Sequence, residues 1–350
     1  MVESPIKVVV ASTYTMDADY IKKILQADPG VIVSGQANTL DELISMITSR
    51  RPDALLLDIE SFSEDPVDAI RTVMAEAPVP IILLTSSNEK SEQVFEAISA
   101  GALTVVKKPD SVDGRRRGKA EQDLIRQTKL YSAIKVIKHL RGGQRTRIKK
   151  DTQAKVKDKI RIVVIASSTG GPQALRKVLS GLPENFPAGI IIAQHITQGF
   201  AKGLINWLNN ECKIKVKQAE DAERIKPGTA YLAPDGYHII VEIGTRVGLK
   251  EGRKSDNHLP SGNMLLASAA EVYGARAIGV ILSGMGEDGV KGLLAIKQKG
   301  GKTIAQDEQS CVVFGMPKAA LEKGAVKRTT PINRIAWEIM REFNDGRSDT

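Results

Sequence analysis

The sequence predicts an α/β protein of two parallel-sheet domains joined by a basic segment, and three observations carry that reading. Short apolar, β-branched runs alternate with amphipathic stretches over residues 6–109 and again from residue 162 onward, the pattern of buried parallel strands with helical crossovers. The two series are separated by a stretch, 113–159, with 16 Lys and Arg against 5 Asp and Glu. The second series opens on an elbow, Ile162-Val163-Val164-Ile165-Ala166-Ser167-Ser168-Thr169-Gly170-Gly171-Pro172, where a β-branched run gives way to small hydroxyl residues and glycines before a helix that Pro172 can open. A length of 350 residues with 42% hydrophobic content suits two such domains and a connector.

The first domain is expected over 4–110 as a (βα)5 unit, with strands at 6–10, 31–34, 54–57, 81–84 and 103–106. The connector is expected over 111–158. The net charge of +11 over 113–159 exceeds the chain's +9, so the basic balance belongs to this segment and the remainder is close to neutral. Its middle, 121–140, carries Leu124, Ile125, Leu130, Ile134 and Ile137 on mostly helical spacing and is expected to dock between the domains. The flanks, Arg115-Arg116-Arg117 and 145–159, read as mobile. Such a cluster attracts nucleic acid, anionic lipid or an acidic protein surface, yet a solvated linker is the favoured reading. Aromatic content is 4% and no stacking platform is evident, so no nucleic-acid partner is expected.

The second domain, 159–345, is expected to be a doubly wound parallel sheet with a β-hairpin excursion at 214–250, where 228–234 and the alternating residues 237–241 read as antiparallel. The elbow presents Ser167 and Ser168 beside a helix N-terminus whose free N–H groups stabilise an anion. A phosphate-binding turn would look similar. The chain has no G-x-G-x-x-G, no P-loop lysine and no acid at the end of the next strand, which closes in Ile192-Ala193-Gln194-His195. A further apolar run, Ala277-Ile278-Gly279-Val280-Ile281-Leu282, opens into Ser283-Gly284-Met285-Gly286-Glu287-Asp288.

Serine, histidine and aspartate each follow a strand of one sheet, which sets Ser168, His195 and Asp288 along its carboxyl edge as nucleophile, base and orienter for acyl transfer to water. Singly, a helix cap, a strand-end histidine and a turn aspartate explain them as well; jointly they do not. His238 and His258 compete as bases but lack the strand-edge placement of His195. Four histidines and two cysteines show no zinc-ligand spacing, and Cys212 and Cys311 read as free thiols.

These words resemble the chemotaxis protein-glutamate methylesterase family, CheB, over nearly the whole chain. Ala166-Ser167-Ser168-Thr169-Gly170-Gly171-Pro172 is similar to the family's G-A-S-T-G-G-P, and that register puts the nucleophile on Ser168, with Ser167 in place of an alanine. Gln194-His195 matches the base, and 284–289 the loop of the aspartate. The words at 231–238, 305–308 and 312–318 complete the match. The resemblance implies hydrolysis of glutamate γ-methyl esters, and deamidation of glutamines, on methyl-accepting chemotaxis receptors, with no cofactor for catalysis. It also implies an oxyanion held by the backbone N–H groups of Thr169 and Met285, which follow the two strands. Pro260-Ser261-Gly262-Asn263 and Ile196-Thr197 depart from the family's P-S-V-D and Met-Pro, and these changes are expected to fall on substrate contacts and spare the triad.

The first domain resembles a response-regulator receiver. Asp58 ends the third strand as candidate phospho-acceptor, Thr85 ends the fourth, and Lys108 follows the fifth. Receivers hold Mg²⁺ on an acidic pair after the first strand, a role that hard oxygen ligands suit. Here that pair is Ala11-Ser12, so Mg²⁺ is in doubt there and Asp58 phosphorylation is expected to be slow, atypical or absent. The resemblance adds a histidine kinase as partner and membrane association through receptors alone. The chain has no apolar run near the roughly 20 residues that span a bilayer and no signal-peptide anatomy at 1–7, so a cytoplasmic protein is expected. The alternative is a non-catalytic receptor-associated adaptor on an esterase-like scaffold, which an intact triad disfavours.

Overall fold

The structure, a computed structural model, describes residues 4–87, 91–109, 117–134, 162–253 and 255–344. The N-terminal domain runs β1 (Ile6–Ala11), α1 (Thr15–Leu25), β2 (Val31–Ala37), α2 (Leu40–Arg50), β3 (Ala54–Asp58), α3 (Pro66–Glu76), β4 (Ile81–Thr85), α4 (Ser91–Ala100), β5 (Thr104–Lys107) and α5 (Arg117–Ser132). Its five strands pair in the parallel order β2-β1-β3-β4-β5. Every residue of β3 and β4 is buried, as strands covered by helices on both faces require.

The C-terminal domain continues with β6 (Ile162–Ser167), α6 (Gly171–Ser180), β7 (Gly189–Gln194), α7 (Ala201–Glu211), β8 (Lys215–Gln218), β9 (Thr229–Leu232), β10 (Tyr237–Glu242) and β11 (Arg246–Glu251). Then follow α8 (Gly262–Tyr273), β12 (Ala277–Ile281), α9 (Val290–Gln298), β13 (Lys302–Gln306), α10 (Met316–Glu322), β14 (Thr329–Thr330) and α11 (Ile332–Asn344). Seven strands form one sheet in the order β14-β13-β12-β6-β7-β9-β8, all parallel. The order reverses between β6 and its neighbours, the place where such sheets bind ligands. Only β10 and β11 make the antiparallel hairpin of the expected excursion. The segment 229–232, read as hairpin, is instead a parallel strand beside β7; all four of its residues are buried, which suits a position inside the main sheet.

The helix expected at 121–140 spans Arg117–Ser132, so Arg117 starts a helix and does not belong to a mobile flank. Leu124 is fully buried and Tyr131 nearly so, in a cluster with β1 and β4 residues. Tyr20 donates to Glu121 at 3.0 Å and Lys129 pairs with Asp28 at 2.6 Å, which fixes the helix on α1. It serves as the fifth helix of the N-terminal domain. The remaining basic residues of the connector, 111–116 and 135–161, lie outside the described residues.

The two domains share a packed face. Buried Phe95 of α4 stacks on Trp207 of α7, with ring centroids 5.8 Å apart and planes at 24°. Thr197 Oγ1 donates to the Val105 carbonyl at 2.7 Å, and Gln173 Nε2 to that of Ile98. Apolar residues of α4, β5, α6 and α7 belong to one continuous buried cluster. The face is therefore continuous with the buried core.

Candidate active site

Strand β6 ends on Ser167, paired in register with Gln194 of β7, and the chain then turns sharply into α6. Gly170 takes φ 73°, and a Cβ there would meet Val312 Cβ at 2.5 Å. A Cβ on Gly171 would sit 2.0 Å from Gln194 Oε1. Both places need glycine for the elbow to close.

The two adjacent serines have different fates. Ser167 is fully buried and its Oγ donates to Gln194 Oε1 at 2.6 Å. Ser168 is half-buried and lines a cavity of about 380 Å³ with His195 and Met285. Gln194 braces the turn, its Nε2 donating to the carbonyls of Ser168 at 2.9 Å and His195 at 2.7 Å. The Ser168 N–H donates to the Ser283 carbonyl at 3.0 Å, and Ser283 Oγ donates to the Thr169 carbonyl at 2.7 Å, which ties the elbow to the end of β12. Gln306 of the 305–308 word accepts the Ser283 N–H at 2.8 Å, so that word is structural support for the turn. The N–H groups of Thr169 and Met285 carry no hydrogen bond to another described residue.

His195 Nε2 lies 2.9 Å from Asp288 Oδ2. Asp288 is 3% exposed and sits at the N-terminus of α8, accepting from the backbone of Gly262 at 2.6 Å, the backbone of Asn263 at 3.0 Å and Ser261 Oγ at 3.2 Å. Burial alone would raise its carboxyl; the hydrogen bond and charge of His195 and the N–H groups of Asn263 and Gly262 outweigh it and hold the carboxyl at about 2. The departing stretch 261–263, expected to touch substrate, holds the aspartate instead. It does so chiefly through backbone N–H groups, which is why a change of side chain there leaves the cradle intact.

His258, weighed only as a competing base, stacks on His195 with centroids 4.8 Å apart and planes at 5°. Desolvation, then the neighbouring His195, lowers its pKa. His195, His258 and Asp288 are the described residues whose ligand atoms group within 4.8 Å of one another. Their geometry favours a stack over a metal set: parallel imidazoles point their in-plane lone pairs side by side, and Asp288 is already filled by helix N–H groups.

In the N-terminal domain Asp58 is fully buried at the end of β3. Lys108 Nζ reaches Asp58 at 3.0 Å, Glu60 at 2.8 Å and Asp17 at 3.4 Å. Ser12 Oγ donates to Asp58 at 3.3 Å and shares a 2.7 Å hydrogen bond with Ser61. Glu60, which the sequence did not single out, accepts from Thr85 Oγ1, from Ser86 N–H at 2.8 Å and from Ser86 Oγ at 2.7 Å. Burial opposes its charge, but Lys108, Thr85 and Ser86 prevail and hold its carboxyl at about 2. The residues do not fit Mg²⁺: the carboxylates converge on an ammonium, and a methyl and a neutral hydroxyl stand where a pair of carboxylates belongs.

Fold and site together define an esterase with a receiver domain at its N-terminus. A CheB methylesterase model matches residues 163–339 and a response-regulator receiver model residues 8–114. The chain belongs to the CheB methylesterase family. It is 38% identical over 334 residues to protein-glutamate methylesterase/protein-glutamine glutaminase 2 of Anaeromyxobacter dehalogenans, covering 95% of this chain and 96% of that one. It is 39% identical over 359 residues to the enzyme of the same name from the group 3 operon of Rhodopseudomonas palustris, with 97% of each covered. The crystal structure of the Thermotoga maritima CheB methylesterase catalytic domain superposes with a TM-score of 0.51 at 41% identity, over 53% of this chain and 100% of that one.

Proposed function

We propose that the protein hydrolyses glutamate γ-methyl esters on chemoreceptors with Ser168 as nucleophile, His195 as base and Asp288 as orienter. Family membership makes it a protein-glutamate methylesterase/protein-glutamine glutaminase, a hydrolase. The observation that carries the residue assignment is the split between the serines: Ser167 is sealed against Gln194, while Ser168 opens on the cavity that His195 lines.

His195 spends Nε2 on Asp288, which leaves Nδ1 as the nitrogen that takes a proton from Ser168. Ser168 Oγ attacks the ester carbonyl, and the oxyanion finds the N–H groups of Thr169 and Met285. Each such donor is worth about 2.7–4 kcal/mol. Collapse expels methanol with the proton from His195. Water, activated by the same ring, attacks the acyl-enzyme and releases glutamate. With a glutamine substrate the leaving group is ammonia and the steps are the same. The chemistry draws only on groups that the chain supplies.

The packed face bears on control. Tyr131 of α5 lies 3.3 Å from Thr169 Oγ1, and Ile98, Val105 and Tyr131 wall the same cavity as Ser168. In this arrangement a receptor helix has to displace the receiver to reach the serine, so separation of the domains is the step at which activity is set. Phosphorylation of Asp58 is not the expected trigger, because Lys108 and Thr85 are engaged by Glu60. A histidine kinase or another partner then acts by binding the separated form. Among the described residues no helix is long and apolar enough to cross a membrane. Action on chemoreceptor glutamates is what places the protein in the cytoplasm, where it meets membranes through receptors.

Methanol release from methylated receptor membranes tests this reading, with full-length protein, residues 159–350, and Ser168→Ala in each. Release by the parents that Ser168→Ala abolishes is the expected result; unchanged release from Ser168→Ala would overturn it.

A further inference from the structure

His238 of β10 is 3% exposed and does not line the cavity of Ser168. Its Nδ1 accepts the backbone N–H of Ser261 at 3.0 Å, and its Nε2 lies 2.9 Å from Asp256 Oδ2. A ring nitrogen that accepts an N–H carries no proton, so the proton sits on Nε2 and is donated to Asp256. Asp256 is itself fixed by the Arg253 N–H at 2.6 Å. The carboxylate thereby sets the tautomer and the ring plane, as carboxylates do for histidines that hold metals.

Ser261 is the residue that α8 starts from. It has extended dihedrals, and its Oγ accepts from the Met264 N–H at 3.3 Å while facing Asp288 Oδ1 at 3.2 Å. The next two N–H groups along the chain are those that grip Asp288. A helix N-terminus aims its free N–H groups only as well as its cap residue is held, and the Ser261 N–H itself finds its acceptor in His238. An unbroken chain of hydrogen bonds therefore runs from Asp256 through His238, Ser261 and Asp288 to His195.

We propose that Asp256 and His238 form a second, positioning dyad for ester hydrolysis: His238 Nδ1 holds the first residue of the α8 cradle and thereby fixes Asp288 against His195. This rests on the triad assigned above. His238 is then a positioning residue and not a rival base, since both of its nitrogens are engaged away from the substrate cavity.

Three substitutions in the full-length protein separate this role from mere packing. In His238→Asn the amide oxygen stands where Nδ1 stands and accepts the Ser261 N–H. In His238→Gln the amide reaches the place of Nε2 and leaves Ser261 unpartnered. His238→Leu offers neither group. Methanol release from methylated receptor membranes is expected to show kcat lowered about tenfold in His238→Gln and His238→Leu, with KM within about twofold of the parent and kcat of His238→Asn within about threefold. Parent-level kcat in His238→Gln, or His238→Asn no better than His238→Gln, would overturn the dyad. Asn and Gln are matched in polarity, so their comparison stands even where His238→Leu fails to fold. A parent that releases no methanol, or a Ser168→Ala variant that still does, would overturn the triad itself.

Discussion

Two buried aspartates lie at the carboxyl side of central parallel strands, Asp288 in the loop after β12 and Asp58 as the last residue of β3, and they have different surroundings. Asp288 is held by neutral donors, two backbone N–H groups and a hydroxyl, and lends its charge to His195. Asp58 is held by Lys108, whose ammonium it shares with Glu60 and Asp17. Neutral donors position a carboxylate and leave its charge available to a neighbouring ring. A neighbouring ammonium cancels it. At one sheet edge the carboxylate faces an imidazole, and at the other three carboxylates share one ammonium.

The sharpest way to break the comparison is to disarm the first aspartate. Asp288→Asn removes the charge and disturbs the tautomer of His195, and kcat is expected to fall by about 10³–10⁴ in a methanol-release assay. A fall of less than about tenfold would place Asp288 outside the reaction.

The second aspartate is tested by labelling. With Mg²⁺ and a small phosphodonor the parent is expected to take up little phosphate. Glu60→Ala, which takes away one of the carboxylates on Lys108 and the carboxylate acceptor of Thr85, should take up more. Stoichiometric, Asp58-dependent labelling of the parent would contradict the closed pocket.

Loosening the face between the domains probes what connects the two edges. Tyr131→Phe deletes the hydrogen bond to Thr169, worth about 1 kcal/mol, and should raise methanol release by up to about fivefold. Release at or below the parent's would show that the contact does not restrain the site.

The smallest effect expected is on acid stability. The Asp288 carboxyl lies below its ordinary value of 3.8 at about 2, so its contribution is full above pH 4 or so and is lost as pH falls toward 2. The unfolding midpoint of Asp288→Asn should accordingly vary less with pH across that window than the parent's. An equal acid slope would place the aspartate in a more neutral setting.

How much of this was legible in the sequence follows from where each residue sits. Ser168 and His195 directly follow apolar strands and Asp288 lies in the loop after a third, so topology brings them to one edge. The doubly wound, parallel character of the central sheet was legible; its strand order was not. Segment 229–232 was misread because its short buried run, ahead of a real hairpin, carries no mark of its parallel partner. The cradle was not legible. Ser261, Gly262 and Asn263 grip Asp288 chiefly through backbone N–H groups, which no side-chain pattern reports. Asp256 reaches His238 from the loop after β11, and Glu60 reaches Lys108 from the turn after β3. His258 joins His195 by stacking, a contact between loops that spacing does not encode. The ambiguity between the two serines is one that packing addresses and residue type does not.

In the proposed reaction one hydroxyl at the elbow does the chemistry and its neighbour only braces it. Methanol release by Ser168→Ala and Ser167→Ala, side by side on methylated receptor membranes, tests it most directly. No turnover above background is expected for Ser168→Ala, and measurable turnover for Ser167→Ala. Turnover by Ser168→Ala together with its loss in Ser167→Ala would contradict it.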